Sequence, residues 1–129
     1  MSVEYDRRSV LATPTMTAPA RAHIGSRITV RAARLESGRY TLLLAVELPT
    51  GGASPTTCSA RVGAARTRDG HVTITGRLPR RLTCRMGEGS VAGYDTVRPG
   101  RYVLSLGILI PPAGFQPAGF VKRTVRLVR

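Results

Sequence analysis

Two cysteines, two histidines and seven acidic residues are the main supply of metal-binding or proton-moving groups in this 129-residue chain. Cys58 and Cys84 stand 26 positions apart, with no C-x-x-C redox motif. Together with the dispersed His23 and His71 they do not make a four-ligand structural zinc site within one chain. The two sulfurs are therefore either a disulfide or a pair of buried, inert thiols. His71 follows Asp69 by two residues, but Asp69-Gly70 is better explained as a turn. No G-x-S-x-G elbow frames a nucleophile. The carboxylates are scattered, without the paired acids of glycoside chemistry or a D-x-D-type calcium cluster. A Walker loop and a G-x-G-x-x-G are also missing. The expectation is a protein that is not an enzyme, with no cofactor and no metal site.

Positive charge is the chemistry that remains. The formal net charge is +13, from 20 basic residues against seven acids, and Lys122 is the one lysine. Asn is absent while Ala, Gly, Pro and Arg abound, the residue usage of a GC-rich genome, so arginine over lysine says little about phosphate recognition. The net excess says more. It is densest in Arg77-Leu78-Pro79-Arg80-Arg81-Leu82-Thr83-Cys84-Arg85. If Cys84 were tied down, Arg77, Arg80, Arg81 and Arg85 would form a fixed patch able to hold phosphate or carboxylate groups bidentately. Aromatic residues are not interleaved with these arginines in sequence, which argues against base stacking and makes nucleic acid the less favoured partner. A second candidate contact is the run Pro111–Phe120, read as a surface loop carrying both phenylalanines, Phe115 and Phe120.

The elements that would position these groups are strands. Apolar and polar residues alternate through Arg27–Ala32, Tyr40–Leu48, Cys58–Val62, His71–Leu78, Arg101–Ile110 and Phe120–Val128. A further strand is expected within Ser9–Thr17, broken by Pro14. No segment of 11 or more residues carries a helical period. Breakers separate the runs, and Asp69-Gly70 is the best hairpin signal. Residues 38–52, GRYTLLLAVELPTGG, are nearly repeated 62 positions later as GRYVLSLGILIPPAG. In each copy both faces are largely apolar, as in a central strand covered on both sides. The expected fold is all-β, a sandwich of about seven strands, with a small barrel as the alternative. The length suits one domain over 1–129, with residues 1–9 as a linker or disordered start.

Ala22-His23-Ile24-Gly25-Ser26-Arg27-Ile28-Thr29-Val30 and Val97-Arg98-Pro99-Gly100-Arg101-Tyr102-Val103-Leu104 resemble segments of the immunoglobulin-like domains of bacterial secreted and surface proteins. The resemblance spans residues 10–129. It implies that Tyr102 is a corner tyrosine bonded to backbone, and that the two GRY strands are antiparallel neighbours in one sheet. A shared ligand loop at their ends would then be impossible. It departs from antibody domains in its close cysteines and its lack of tryptophan. A secreted β-domain makes a Cys58–Cys84 disulfide the expected state.

No apolar run reaches the roughly 20 residues of a membrane-spanning helix. MSVEYDRRSV is not a signal peptide, so a secreted protein would have had its leader removed. The sequence therefore points to a structural or adhesive module, secreted or on a cell surface, that contacts an acidic polymer or another protein. A cytosolic nucleic-acid-binding β domain is the alternative.

Overall fold

A computed structural model describes residues 13–48, 56–86, 91–110 and 114–129. Side chains are described for all of these except Leu48, Met86, Ala92 and residues 109–110 and 114–120. The expected linker at 1–9 lies outside the described residues. Every described element is a strand: β1 (Thr15–Thr17), β2 (Arg21–His23), β3 (Arg27–Ala33), β4 (Arg39–Leu48), β5 (Thr56–Arg66), β6 (Val72–Arg77), β7 (Arg81–Met86), β8 (Val91–Thr96), β9 (Gly100–Ile110) and β10 (Gly114–Val128). They form a three-stranded sheet, β1-β3-β6, and a seven-stranded sheet, β2-β10-β9-β4-β5-β7-β8. β2 and β8 end the larger sheet without meeting, so it does not close into a barrel.

Strand alternation decides what faces inward. On β3 the burial pattern puts Ile28, Val30 and Ala32 into the core and Arg27 and Arg31 into solvent. On β6 Val72 and Ile74 do the same. Facing them from the larger sheet are Tyr40, Leu42 and Leu44 of β4 and Tyr102, Leu104 and Leu106 of β9. The two GRY strands are antiparallel neighbours, with Leu42 opposite Leu106 and Leu44 opposite Leu104. Their outward residues Thr41 and Ser105 are buried as well, although no second layer covers that face among the described residues. Because the strands run oppositely, their C-terminal ends lie at opposite ends of the sheet. The segments that follow, 49–55 and 111–113, lie outside the described residues.

Both GRY tyrosines make a bond to backbone four residues upstream, with opposite polarity. The Tyr40 hydroxyl donates to the Glu36 carbonyl at 3.0 Å. The Tyr102 hydroxyl accepts from the Arg98 amide at 3.0 Å. Burial, helped by the nearby Glu36 charge, raises the Tyr40 phenol above its ordinary range.

Asp69 and Gly70 both have positive φ, 53° and 77°, and Arg68 and His71 exchange backbone bonds of 2.7 and 3.0 Å around them. That is a two-residue hairpin turn of the primed type, whose twist suits strands. Its arms then part, β5 into the large sheet and β6 into the small one. The crossing is tight. β5 bulges at Val62, between the pairs Leu42–Gly63 and Leu43–Arg61. There the Val62 carbonyl occupies the space a Cβ would need on Gly76, and Ile74 Cγ2 would lie 2.9 Å from a Cβ on Gly63.

Three features differ from the sequence-based expectation. The chain forms a further strand past the expected one, changing sheets at Pro19 between β1 and β2; Pro14 precedes β1, and residues 9–12 lie outside the described residues. β2, β7 and β8 fall outside the expected runs, so the described strands number ten rather than about seven. Gly114–Phe120 is not loop: the backbone of Phe115 pairs with Leu109 within β9–β10. The phenylalanine side chains lie outside the described residues.

Replacing Gly76 with alanine drives a methyl into backbone, not into a movable side chain. We expect about 1–3 kcal/mol of lost stability in urea unfolding. Gly38→Ala, where the nearest atom would be 4.0 Å away, should stay within roughly 0.5 kcal/mol. Equal effects would contradict the tight crossing. Tyr40→Phe should cost about 1 kcal/mol near neutral pH through the lost hydrogen bond. The sign at high pH follows from linkage: the unfolded phenol ionises near 10, before the raised folded one. The Tyr40 contribution is therefore intact below about pH 10 and lost as pH rises through the folded pKa. The stability gap between wild type and Tyr40→Phe should narrow in that window, as read by urea titrations.

Candidate functional site

Cys58 and Cys84 are bonded, and they are direct cross-strand partners on β5 and β7. The bridge therefore lies within one sheet, facing the core, where Cys58 is fully buried and Cys84 nearly so. Inward cysteines place their odd-numbered neighbours outward. Arg81, Thr83 and Arg85 of β7 project from the outer face, four residues separating the arginines by about 13 Å. Thr57 and Ser59 of β5 pair with Arg85 and Thr83 and share that face. Arg61, two residues beyond Ser59, is exposed on the same side at the Arg81 end.

The expected four-arginine patch is thus divided. Arg81 and Arg85 stand on the outer face of the large sheet. Arg77 and Arg80 turn instead to the Gly25 end of the domain, because β6 ends at Arg77 and the chain crosses between sheets at Pro79-Arg80. Arg77 Nη1 donates to the Gly25 carbonyl at 3.1 Å. The Arg80 guanidinium lies over Gly25, with three of its atoms 2.6 Å from where a Cβ would stand. Gly25 itself, with φ of 77°, is the third residue of a turn closed by a 3.1 Å bond from Ser26 N to His23 O. Such a φ at that place in a turn favours glycine.

β8 brings a further residue to this face. Tyr94 pairs with Thr83 and is 64% exposed, and the Arg81 guanidinium carbon lies 5.0 Å from its ring centroid. Arginine and aromatic are interleaved in space although not along the chain. Val91, opposite Arg85, is also exposed. Inward from Tyr94, the cross-strand row continues Thr83, Ser59, Ala45, Val103 and Thr124. Its central members are small, so the middle of the outer face is low and its margins carry long basic side chains. Arg61, Arg81 and Arg85 stand toward one side, with Lys122, on the strand that flanks Ser105, on the other. Glu47, paired with Thr57, is the acid on this part of the sheet among the described residues.

Charge on the surface is largely unopposed. Among the described residues the one ion pair joins Arg98 Nη2 to Asp95 Oδ1 at 3.8 Å. No group of three or more His, Cys, Asp or Glu among them could hold a metal ion. His23 Nδ1 is bonded to the Arg129 carbonyl oxygen at 2.8 Å. His71 is exposed beside the Asp69-Gly70 turn, where its backbone closes the hairpin. No described helix is long and apolar enough to cross a membrane.

No family model matches this chain, and no curated protein does. Among solved structures, macromomycin superposes with a TM-score of 0.60 at 16% identity, covering 90% of this chain and 100% of its own. That likeness supports the two-sheet β fold and nothing about ligands.

The Gly25 turn gives a test of how Arg80 is held. Gly25→Ala should cost about 1–2 kcal/mol from the left-handed backbone, plus the displacement of Arg80. In an Arg80→Ala background the cost should fall but not vanish. A double-mutant cycle by thermal unfolding measures both parts. An unchanged cost would mean that Arg80 does not rest on Gly25.

Proposed function

We propose that this chain is a non-enzymatic, immunoglobulin-like module of a secreted or cell-surface protein that holds an acidic polymer on the outer face of β5, β7 and β8. The observation that carries this reading is the placement of Arg61, Arg81 and Arg85 on one exposed face, with Glu47 as the nearby acid. Exposed guanidinium groups on neighbouring strands meet successive anionic groups of a linear chain without reorganising the fold. Each planar fork suits carboxylate, sulfate or phosphate. Holding the strands in register is the role of the Cys58–Cys84 bridge, which suits an oxidising compartment. Small outward residues between the arginines leave the polymer backbone room to approach.

Retention on an immobilised sulfated polysaccharide tests the assignment. The wild-type chain should need markedly more salt for elution than an Arg81→Ser/Arg85→Ser variant, since both side chains are exposed and their loss spares the core. Equal elution would sink the assignment to this face. A single-stranded DNA column distinguishes the nucleic-acid reading. Preferential retention there, with cysteines that alkylate without reductant, would favour a cytosolic nucleic-acid-binding domain instead.

A further inference from the structure

At the end of the domain away from the Asp69-Gly70 turn lies a cleft of about 460 Å³, between the Ile24-Gly25 turn and the segment Thr96–Pro99. Arg80, Arg98 and Arg129 line it together with the apolar Ile24, Val97 and Pro99. We propose that this cleft is a binding site for a single phosphate-type dianion carried on a small apolar body, a phosphate monoester. It adjoins the polymer face, since Thr96 of its lining is the cross-strand partner of Arg81, but neither Arg61, Arg81 nor Arg85 lines it.

The walls are fixed by backbone bonds. Val97 N donates to the Arg80 carbonyl at 2.9 Å, joining one wall to the other. Ile24 N donates to Val128 O at 2.8 Å, and Leu78 N to Ser26 O at 2.8 Å, so the Gly25 turn is bound to β10 and to the end of β6. Arg80 is therefore pre-placed: its guanidinium rests on Gly25, a position that only the absent Cβ permits. A preset fork loses less freedom on binding than a free one.

Charge decides the ligand class. Three arginines line one space, and among the described residues the one ion pair made by any of them joins Arg98 to Asp95 at 3.8 Å. Such a long, largely exposed contact holds little. A carboxylate would leave most of this charge unopposed, whereas a dianion with three terminal oxygens can engage more than one fork. Ile24, Val97 and Pro99 give an organic substituent an apolar surface, and the volume is that of a small-molecule site. Thr96 completes the lining.

Amide chemical-shift titrations with inorganic phosphate, phenyl phosphate and benzoate test this on the wild-type chain. Saturable shifts at Ile24, Gly25, Thr96 and Val97 are expected for both phosphates, tighter for phenyl phosphate, and weak for benzoate. Arg98→Ser, at a side chain 78% exposed, should weaken phenyl phosphate by roughly tenfold or more. Arg27→Ser on β3 should leave it unchanged. Unchanged amide shifts in β4 and β9 show that the variants remain folded. Benzoate binding as tight as phenyl phosphate would overturn the dianion assignment. Shifts that never saturate, or an Arg98→Ser variant that binds like wild type, would overturn the site. The polymer reading is unaffected by either result, since it is read on the Arg81/Arg85 face.

Discussion

The antiparallel register of β4 against β9 is the constraint from which the rest of the molecule follows. Leu42, Leu44, Leu104 and Leu106 are fully buried where the two strands meet. Burial of side chains this size is worth about 1.5–3 kcal/mol each before conformational entropy is subtracted. Since side chains alternate with a period of two, a slip of one residue would turn these leucines outward and bring Thr41, Leu43, Ser105 and Val103 inward. The register is therefore strongly specified. From β4 it passes through Val46 opposite Cys58 to Cys58 opposite Cys84, so the disulfide lies on the row of contacts that leads outward from the central pair. What faces solvent on β7 is decided two strands away, on β4.

That ordering explains how a chain with 20 basic and seven acidic residues stays compact. Alternation gives most strand arginines an outward place, as with Arg27 and Arg31 on β3 and Arg81 and Arg85 on β7. Where the chain crosses between sheets, alternation no longer applies, and arginines do structural work instead. Arg77 and Arg80 secure the Gly25 turn by a hydrogen bond and by contact with a glycine that has no side chain to offer. The same residue type thus serves two ends: a brace where backbone needs a partner, and an unopposed charge where the sheet surface is open. Mutual repulsion among the open charges is tolerated because they are exposed and screened by salt.

Much of the fold could be read in the sequence, for identifiable reasons. Tyr40–Leu48 and Arg101–Ile110 carry apolar residues on both faces, and only central strands allow that. Asp69-Gly70 supplied both residues of positive φ that a tight hairpin needs. Around β7, four arginines in nine residues mask, as a charge run, the alternation of Leu82 and Cys84 against Arg81, Thr83 and Arg85. β2, three residues long, is too short for a period to register and is held by its pairing with β10, whereas β1 falls within the strand expected at Ser9–Thr17. The Phe115 segment looked like a loop on account of its prolines and glycines, yet pairing with β9 overrides that local preference. The site was less legible than the fold. Linear proximity grouped Arg77 and Arg80 with Arg81 and Arg85, and the sheet crossing divides them. Tyr94, 13 residues beyond Arg81, joins it only through the β7–β8 register.

The central claim is that position, and not mere abundance, gives the β5–β7–β8 arginines their role. The salt dependence of affinity for a linear polyanion measures this most directly, because its slope counts the cations engaged. Arg81→Ser/Arg85→Ser should lower the slope by about 0.7–0.9 per arginine removed. Arg27→Ser/Arg31→Ser, which removes the same charge from the outer face of β3, should leave it where it was. Equal reductions in the two variants would show that the polymer senses only net charge, and would contradict the account.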